Sequence, residues 1–354
     1  MSEQSFIHLP QYRGVGDAQP ILGAYHLRKD FPIRKVKLGG ASSVVQAVED
    51  ATLTLYAGRA TALVGESGSG KTTVARLLAG MHTPTRGEIQ FQSQLVRVRS
   101  WRERKSYLRN VQYVFQDPFS SLNPTHSIRY HLSRPLQSHG HAHNSKEVEE
   151  QALVLLEKVS LTPARQFLEK YPHQLSGGQR QRVSIARALA AQPAVLLADE
   201  PVSMLDVSIR LDILNLLLKL KEEEGLAFLF ITHDIASARY FAEDTQVMYA
   251  GQMVEGGPSE EVIRRPKHPY TRLLRSAAPD PDRMAKLAES GLTETELPTR
   301  GEPPSLVDPP AGCRFHLRCP HAMEICRQAF PARTDFGNGH WTNCHLYTSN
   351  AAQN

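Results

Sequence analysis

Short apolar runs alternate with polar turns and with stretches of helical periodicity over most of the chain. Alternating apolar positions predict strands at residues 22–31 and 44–55, and residues 60–64 form an apolar run that predicts a short buried strand. Further apolar strands are predicted at 195–198 and 227–231, each followed by polar turn residues and a helix. This alternation of strand and helix predicts a mainly parallel sheet with helices on both faces.

The same patterns divide the chain into four predicted parts. Residues 1–21 form a polar extension, and residues 22–278 form the main α/β domain, with helical periodicity over about 117–175. Residues 279–311 hold seven prolines and no long apolar run, which indicates a linker. Residues 312–350 form a small cysteine-rich C-terminal extension.

Composition and charge are those of an ordinary globular protein, with 41% hydrophobic and 22% charged residues. No apolar run approaches the roughly 18 residues that a membrane helix needs, and the start of the chain lacks the pattern of a secretory signal. We therefore expect a soluble, cytoplasmic chain that can dock on a membrane protein. The net charge of +5 indicates an anionic partner, although the basic run at residues 97–109 is interpreted as a solvated helix face.

A glycine-rich turn separates the predicted strand at 60–64 from a predicted helix at 71–80. Residues 65–72 match the phosphate-loop pattern G-x-x-x-x-G-K-[ST] in full. Glycines let several amide groups face one anion, and the helix start adds its positive dipole end. Lys71 is predicted to reach the β- and γ-phosphates and Thr72 to bind Mg²⁺, the alternative being a glycine-rich turn without a ligand. The predicted nucleotide contacts here are Gly65, Ser67, Gly68, Ser69, Gly70, Lys71, Thr72 and Thr73.

Two adjacent carboxylates, Asp199 and Glu200, follow the apolar strand predicted at 195–198. Open α/β sheets bind ligands at the C-terminal ends of their strands. Because neighbouring strand residues point to opposite sides, the two acids need not share one role. Asp199 suits the Mg²⁺ shell, and Glu200 suits a general base that polarises an attacking water. The alternative is an acidic pair that caps the following helix.

The sequence Leu-Ser-Gly-Gly-Gln at residues 175–179 closely resembles the signature of the ABC ATPases. Its serine and glycine amides precede a helix predicted from 179 to 190, a place suited to a γ-phosphate. The resemblance covers residues 22–278. It implies a P-loop NTPase (RecA-like) core with an antiparallel β subdomain and a helical subdomain. The nucleotide contacts implied in the signature are Ser176, Gly177, Gly178 and Gln179.

Four further residues match the family in order along the chain. Gln116 resembles the glutamine that contacts Mg²⁺ and senses the transmembrane partner. His233 resembles the switch histidine at the γ-phosphate, and Asp206 ends the loop that bridges two ATPase subunits. Met204 in that loop departs from the more usual alanine. Phe31 resembles the aromatic residue that stacks on adenine, with simple core packing as the alternative.

The resemblance implies that the phosphate loop of one subunit faces the signature of another. A phosphoryl-transfer site must neutralise spread negative charge from several sides while excluding water. One subunit would supply Lys71, Mg²⁺ and Glu200, and the other would supply a second helix N-terminus. The expected cofactors are ATP and Mg²⁺. The expected ATPase partner is a paralogue, with an identical copy as the alternative.

Three longer stretches, 116–124, 268–271 and 312–320, resemble the oligopeptide and dipeptide importer branch of the family. The resemblance implies a peripheral subunit at the cytoplasmic face of the membrane. Its partners would be two transmembrane permeases and an extracytoplasmic substrate-binding protein, and not nucleic acid. Residues 117–135 are expected to dock a permease helix, unless they form an ordinary surface loop. Peptides are the favoured cargo, while nickel complexes, glutathione and oligosaccharides remain alternatives.

Three other functions compete with this interpretation. An ABC ATPase that acts on DNA or ribosomes would carry a long coiled-coil insertion or a second cassette. A phosphate-loop kinase would not explain residues 175–179 or His233. The sequence fits the ATPase of an importer better than that of an exporter, because it shows no fused membrane spans and has a cysteine-rich C-terminal segment.

All four cysteines lie near the end of the chain, with gaps of five, six and seventeen residues between them. In a cytosolic chain such clustering favours metal over disulfides. The short spacing of structural zinc knuckles is absent, and four thiolates can hold a [4Fe–4S] cluster or Zn²⁺. Free buried thiols are the third alternative, and nearby histidines could replace a cysteine. The candidate ligands are Cys313, Cys319, Cys326 and Cys344, with His316, His321, His340 and His345 as substitutes.

Overall fold

The computed structural model describes four stretches of the chain, residues 20–33, 43–97, 100–277 and 301–348. Residues 1–19 of the predicted N-terminal extension and residues 279–300 of the predicted linker lie outside the described residues.

Five parallel strands form one side of the sheet, in the spatial order β9-β3-β8-β7-β6 with β6 at the edge. Their residues are almost all buried, as expected of parallel strands covered on both faces. The predicted parallel sheet is therefore confirmed. The five strands are β3 (Ala60–Val64), β6 (Val111–Val114), β7 (Val195–Asp199), β8 (Ala227–Thr232) and β9 (Asp244–Tyr249).

An antiparallel group continues the same sheet beyond β9. Its inner strand, β10, pairs antiparallel with β9 and meets β2 through the pair Gln252 and Asp50. The long strands β1 and β2 pair antiparallel, and β4 and β5 extend the far edge. This group matches the expected antiparallel β subdomain. Its strands are β1 (Pro20–Pro32), β2 (Val44–Tyr56), β4 (Arg86–Phe91), β5 (Gln94–Leu95) and β10 (Gln252–Pro258).

Thirteen α-helices occur within the described residues. Within that part of the chain, no helix is both long enough and apolar enough to cross a bilayer. The helices are α1 (Lys71–Leu78), α2 (Trp101–Asn110), α3 (Pro118–Ser121), α4 (Ile128–Ser138), α5 (Ser145–Lys158), α6 (Ala164–Leu168), α7 (Gly177–Leu189), α8 (Val207–Glu224), α9 (Ile235–Phe241), α10 (Ser259–Arg264), α11 (Pro269–Ala277), α12 (Ile325–Gln328) and α13 (His345–Thr348). Short 3-10 turns add Pro172–Gln174 and Arg314–Leu317.

The two faces of the sheet belong to two apolar cores. Along β8, Phe228 and Phe230 face one core, while Leu229 and Ile231 face the other, as the alternation of a strand requires. Helices α4 to α8 contribute to the first core and α1 to the second, which confirms helices on both faces. This packing fixes the C-terminal ends of β3, β7 and β8 side by side, where the candidate site lies.

The C-terminal segment, residues 301–348, joins the main sheet. Strand β12 (Trp341–Asn343) pairs with β10, and β11 (Arg333–Asp335) pairs with β12. A third apolar core includes Tyr249 and Tyr270 from the main domain and Phe315 from this segment. The described part of the predicted linker is also packed, because the Gln46 amide donates to the Leu306 carbonyl at 2.8 Å.

Candidate functional site

The phosphate loop, residues 65–70, runs from the end of β3 to the first residue of α1 and is pressed against neighbouring backbone. Gly70 has φ of 103°, and a Cβ there would lie 2.3 Å from the Ala47 carbonyl oxygen. A Cβ on Gly65 would lie 2.1 Å from the Met248 carbonyl oxygen. Glycine is therefore required at both ends of the loop, by backbone conformation at Gly70 and by close packing at each.

Lys71 is buried and spans the loop that it follows. Its Nζ donates to the carbonyl oxygens of Gly65 at 2.7 Å and Glu66 at 2.8 Å. Burial lowers the pKa of Lys71, and nearby carboxylates, with Glu200 the largest contributor, oppose that shift. The ammonium is thus held beside the loop, and a phosphate oxygen could take the place of a carbonyl partner.

Asp199 lies buried at the end of β7 with its two carboxylate oxygens engaged. Thr72 Oγ1 donates to one oxygen at 3.1 Å, and Tyr113 Oη donates to the other at 2.6 Å. Burial raises the pKa of Asp199, while these two hydrogen bonds lower it. Carboxylate and hydroxyl oxygens are the ligands that Mg²⁺ prefers, so Asp199 and Thr72 fit a magnesium site.

Glu200 holds the centre of a three-residue group at the mouth of the loop. Gln116 Nε2 donates to Glu200 Oε2 at 3.0 Å, and His233 Nδ1 lies 3.3 Å from the same oxygen. Glu200 has φ of 46°, a region that non-glycine residues seldom adopt. Its amide donates to the Ile231 carbonyl at 3.0 Å, which fixes this conformation against β8. Strain of this kind is typical of functional sites.

Lys71, Thr72, Gln116, Glu200 and His233 line a single cavity of about 610 Å³, and Asp199 contacts its lining through Thr72. The structure therefore brings together predicted residues that lie far apart in the sequence. A volume of this size suits a small-molecule ligand. The cavity is lined by Ala47, Glu66, Ser67, Gly68, Ser69, Gly70, Lys71, Thr72, Thr73, Gln116, Glu200, His233, Leu274 and Leu306.

The signature residues cap helix α7, which begins at Gly177 rather than at the predicted residue 179. Ser176 Oγ accepts from the Gln179 amide at 3.2 Å, and Gln179 Oε1 accepts from the Ser176 amide at 3.1 Å. This reciprocal capping box moves the helix start earlier. Among the described residues that line the phosphate cavity, none comes from residues 175–179, and the exposed Asp206 is also absent.

Phe31 lies at the end of β1, paired with Val45 of β2. Its ring packs edge-on against His82, with centroids 5.4 Å apart, and Lys29 Nζ lies 4.9 Å from the ring centroid. Phe31 is not among the residues that line the phosphate cavity in the described structure. Its predicted contact with adenine stays a prediction.

The four cysteines line one small enclosed space of about 10 Å³, together with His316, His321 and His345. Burial raises the pKa of Cys313 to about 12 and that of Cys344 to about 11. Within the described residues, no three cysteine, histidine or acidic side chains are arranged to hold a metal ion. The structure thus gathers the thiols without supporting a metal site. His340 lies elsewhere, with Nε2 2.7 Å from Glu255 Oε1.

Three residues that contact the phosphate site, through Asp199 or Glu66, were not predicted. Tyr113 binds the Asp199 carboxylate, Tyr270 Oη accepts from the Glu66 amide at 2.8 Å, and Arg318 binds the Glu66 carboxylate. Tyr270 and Arg318 occur in stretches that resemble the oligopeptide branch, and this resemblance was the one feature of the sequence that could have indicated them. Tyr113 carries no signal beyond its place on β6.

The sequence of this chain matches known ABC transporter proteins over most of its length. The ABC transporter family profile matches residues 48–203, and that of the oligopeptide/dipeptide transporter C-terminal region matches residues 254–326. The oligopeptide transport ATP-binding protein AppF of Bacillus subtilis is 39% identical over 335 residues, covering 94% of this chain and 99% of that protein. The dipeptide transport ATP-binding protein DppF of Haemophilus influenzae is 38% identical over 330 residues, covering 93% and 98%.

Solved structures show the same fold. The dimeric ATP-binding cassette MJ0796, bound to ADP and Pi, aligns with a TM-score of 0.59 at 30% identity, covering 68% of this chain and 99% of that one. CbiO1 from Clostridium perfringens, part of the ABC transporter complex cbiONQ, aligns with a TM-score of 0.60 at 25% identity, covering 77% and 99%. The predicted ABC ATPase fold is confirmed. The chain belongs to the oligopeptide/dipeptide branch of the ABC transporter ATP-binding proteins.

Proposed function

We propose that this chain hydrolyses MgATP in a site shared with a second ATPase subunit and thereby drives peptide import through two permeases. One observation carries the proposal. Gln116, Glu200 and His233 converge within hydrogen-bonding distance at the mouth of the phosphate loop. Three separate segments of the chain deliver these side chains to one point, which a purely structural loop does not require.

The phosphate loop and Lys71 bind the triphosphate in this proposal. The loop amides and the start of α1 face the anion, and Lys71 exchanges a loop carbonyl for a phosphate oxygen. Thr72 and Asp199 would hold Mg²⁺, which neutralises charge that develops on the phosphates when it is bound. Tyr113 keeps the Asp199 carboxylate turned toward Thr72.

Glu200 acts as the general base. Its carboxylate points into the cavity, where it can take a proton from the attacking water. Gln116 donates to one carboxylate oxygen, with His233 Nδ1 3.3 Å from the same atom, which leaves the other oxygen for the water. His233 is 58% exposed in the single chain, so it is free to turn toward the terminal phosphate once the cavity is filled.

A second subunit completes the site. The exposed Ser176 and the amides of Gly177 and Gly178 form the start of α7 in the same chain, away from the cavity lining. The related cassette MJ0796 is dimeric with ADP and Pi bound. We infer that this chain also pairs with a second ATPase subunit, and we propose a paralogue as that partner. Asp206 would then lie in the contact between the two subunits.

The permease docks in a groove beside the site. This groove, of about 730 Å³, is lined by residues of α2, of β6 and Phe115, and of α4 and α7. Trp101 on its rim is 72% exposed, and Arg104 and Lys105 add positive charge. An amphipathic helix with an acidic end fits such a surface. None of the described residues that line this groove falls within 117–135, so the dock is proposed on α2 and not on that stretch.

Peptides are the proposed cargo, because the relatives AppF and DppF are named for oligopeptide and dipeptide transport. The chain would then lie at the cytoplasmic face of the membrane, bound to the permeases. An extracytoplasmic binding protein would deliver the peptide on the other side.

Peptide uptake tests both the function and the dock. In proteoliposomes that hold the permeases and both ATPase subunits, supplied with the binding protein, we expect MgATP-dependent uptake of peptides from a defined mixture, measured by mass spectrometry. Trp101→Glu is expected to lower uptake by about tenfold or more, since it replaces a large exposed aromatic side chain of the groove with a carboxylate that repels the acidic end of the docked helix. The isolated variant should still bind MgATP.

Val154→Glu is the matched control, because Val154 is also exposed, at 47%, but lies on α5 outside the groove. It should retain uptake. Uptake of a sugar or a metal complex in place of peptides would overturn the cargo, and normal uptake with Trp101→Glu would overturn the dock.

The four cysteines are proposed as ligands of an iron–sulfur cluster. The support is that all four thiols line one enclosed space, and thiolates are the usual ligands of such clusters. The space measures about 10 Å³, and burial raises the pKa of Cys313 and Cys344, so a bound cluster would have to widen this space and displace the thiol protons. A cluster there would tie the C-terminal segment together without taking part in hydrolysis.

Anaerobic purification tests this proposal. We expect iron and acid-labile sulfide at about four of each per chain, with visible absorption that Cys326→Ser removes. His321→Ala is the control and should keep the iron, since the exposed His321 lines the space without being a thiol. Zinc alone, or no metal at all, would contradict the cluster.

A further inference from the structure

Glu66, the second residue of the phosphate loop, is held on three sides. Its amide donates to Tyr270 Oη at 2.8 Å, and its carbonyl accepts from Lys71 Nζ at 2.8 Å. Its carboxylate accepts two hydrogen bonds from Arg318 Nη1, at 3.0 and 2.9 Å. The bond from Lys71 belongs to the phosphate site. The other contacts come from α11 and from the C-terminal segment, and hydrolysis by itself does not call for them.

Arg318 is fixed by its own surroundings. Its side chain is 8% exposed, and its guanidinium lies 5.8 Å from the ring centroid of Tyr249 and 6.0 Å from that of Phe315. Nη1 also lies 3.4 Å from Tyr249 Oη. A buried guanidinium packed beside these two rings reaches Glu66 with little freedom left to lose, so the ion pair is pre-organised.

A second arginine anchors the turn from which Arg318 projects. Arg314 is almost fully buried, and its Nη2 donates to Gln46 Oε1 at 2.8 Å and lies 3.1 Å from Glu49 Oε2. Its Nη1 donates to the Ala250 carbonyl. The next residue, Gly251, donates its amide to the Ser69 carbonyl of the phosphate loop at 2.8 Å. The turn is therefore docked against the backbone that surrounds the loop.

We propose that Arg318 is a positioning residue for nucleotide binding. Through Glu66 it keeps the phosphate loop in the shape that accepts the anion. The inference rests on the proposed binding of MgATP. The C-terminal segment is then one wall of the nucleotide site, which agrees with Leu306 lining the same cavity.

Two physical effects act through the Arg318–Glu66 pair. The first is order, because a loop already fixed in its bound shape loses less conformational entropy when the nucleotide binds. The second is charge. An unpaired Glu66 carboxylate beside the triphosphate would repel it, and at a partly buried position that repulsion is only weakly screened. Arg318 removes the repulsion by pairing with Glu66.

The test is the dissociation constant of magnesium AMP-PNP, measured by calorimetry on the full chain. Arg318→Ala is expected to weaken binding by about 5- to 20-fold. Arg318→Lys, which keeps the charge but loses the packing of the guanidinium beside Tyr249 and Phe315, should fall between that variant and the wild type. Glu66→Gln should change binding by less than about threefold, and Arg318→Ala should cost less in that background, as a double-mutant cycle of two coupled residues requires.

Arg327→Ala is the matched control, because Arg327 lies in the same segment, is 66% exposed and pairs with the exposed Glu324. Hydrogen exchange supplies a readout that general destabilisation does not mimic. The amides of residues 65–72 should exchange faster in Arg318→Ala, while those of the parallel strands should keep their wild-type rates.

The outcomes separate this inference from the proposed function. A wild-type chain that fails to bind magnesium AMP-PNP would sink the proposed function itself. A wild-type chain that binds, with Arg318→Ala binding as tightly and exchanging as slowly, would overturn the role of Arg318 alone. If Arg318→Ala does not fold, Arg318→Lys and Glu66→Gln decide, because wild-type exchange of the loop amides in both would overturn it equally.

Discussion

Replacing Glu200 with glutamine should slow ATP turnover by about 10²- to 10⁴-fold, the usual effect of losing a general base. Glutamine keeps the shape and the contact with Gln116, but it cannot take a proton from the attacking water. Nucleotide binding should persist, because the phosphate loop and Lys71 are untouched. The subunit pair should stay closed on ATP. Phosphate release and the size of the complex in MgATP provide the measurements.

Glu222→Gln is the control for that substitution. Glu222 is an exposed carboxylate on α8, outside the cavity, and its replacement should leave turnover within about twofold of the wild type, as for most surface substitutions. Near-normal turnover in Glu200→Gln would remove Glu200 from its assigned role. Loss of nucleotide binding in that variant would show that the carboxylate acts on the ground state instead.

The second large effect is expected for Gly70→Ala, which should weaken MgATP binding by about 100-fold or more. A positive φ costs a non-glycine residue about 1–2 kcal/mol. The added Cβ would in addition lie 2.3 Å from the Ala47 carbonyl oxygen, which is backbone and cannot turn aside. The loop or β2 must shift, and the amides that face the phosphate would lose their alignment. Calorimetry with MgATP measures the loss.

Gly58→Ala separates the two parts of this argument. Gly58 also has a positive φ, of 68°, but a Cβ there meets nothing within 4 Å, and it lies outside the cavity. This variant should lose about 1 kcal/mol of unfolding free energy and keep its affinity for MgATP. If Gly70→Ala bound MgATP as tightly as Gly58→Ala, the close packing of the loop would not control the site.

Strands β3, β7 and β8 could be predicted almost residue by residue because each is a continuous apolar run, whereas the parallel strands β6 and β9 were not predicted. Residues 60–64 match β3 fully, and the run ending at 198 becomes β7, one residue longer. Helix ends were harder. The helix predicted to 80 ends at Leu78, where the chain turns through a left-handed Gly80, and α7 begins early because Ser176 caps it.

Local motifs predicted which residues lie together at the candidate site, but they did not predict the long-range contacts around it. Lys71, Asp199 and Glu200 stand in short patterns whose spacing carries a mechanism. Arg318 contacts Glu66 across 252 positions, and nothing periodic connects the two. The same limit applies to the pairing of β12 with β10. Contacts of this kind arise from the tertiary fold, so a single sequence does not display them.

The pairing of β12 with β10 and the burial of Arg314 against Gln46 affect how such subunits can diverge. A tail that supplies a strand to the sheet and a cation to the loop cannot be exchanged between relatives as a free-standing module. A chimera that joins one cassette to the C-terminal segment of another must also carry the residues that bind its arginines, which are Glu66, Gln46 and Glu49 in this chain. The two parts are expected to change together, as residues within one protein core do.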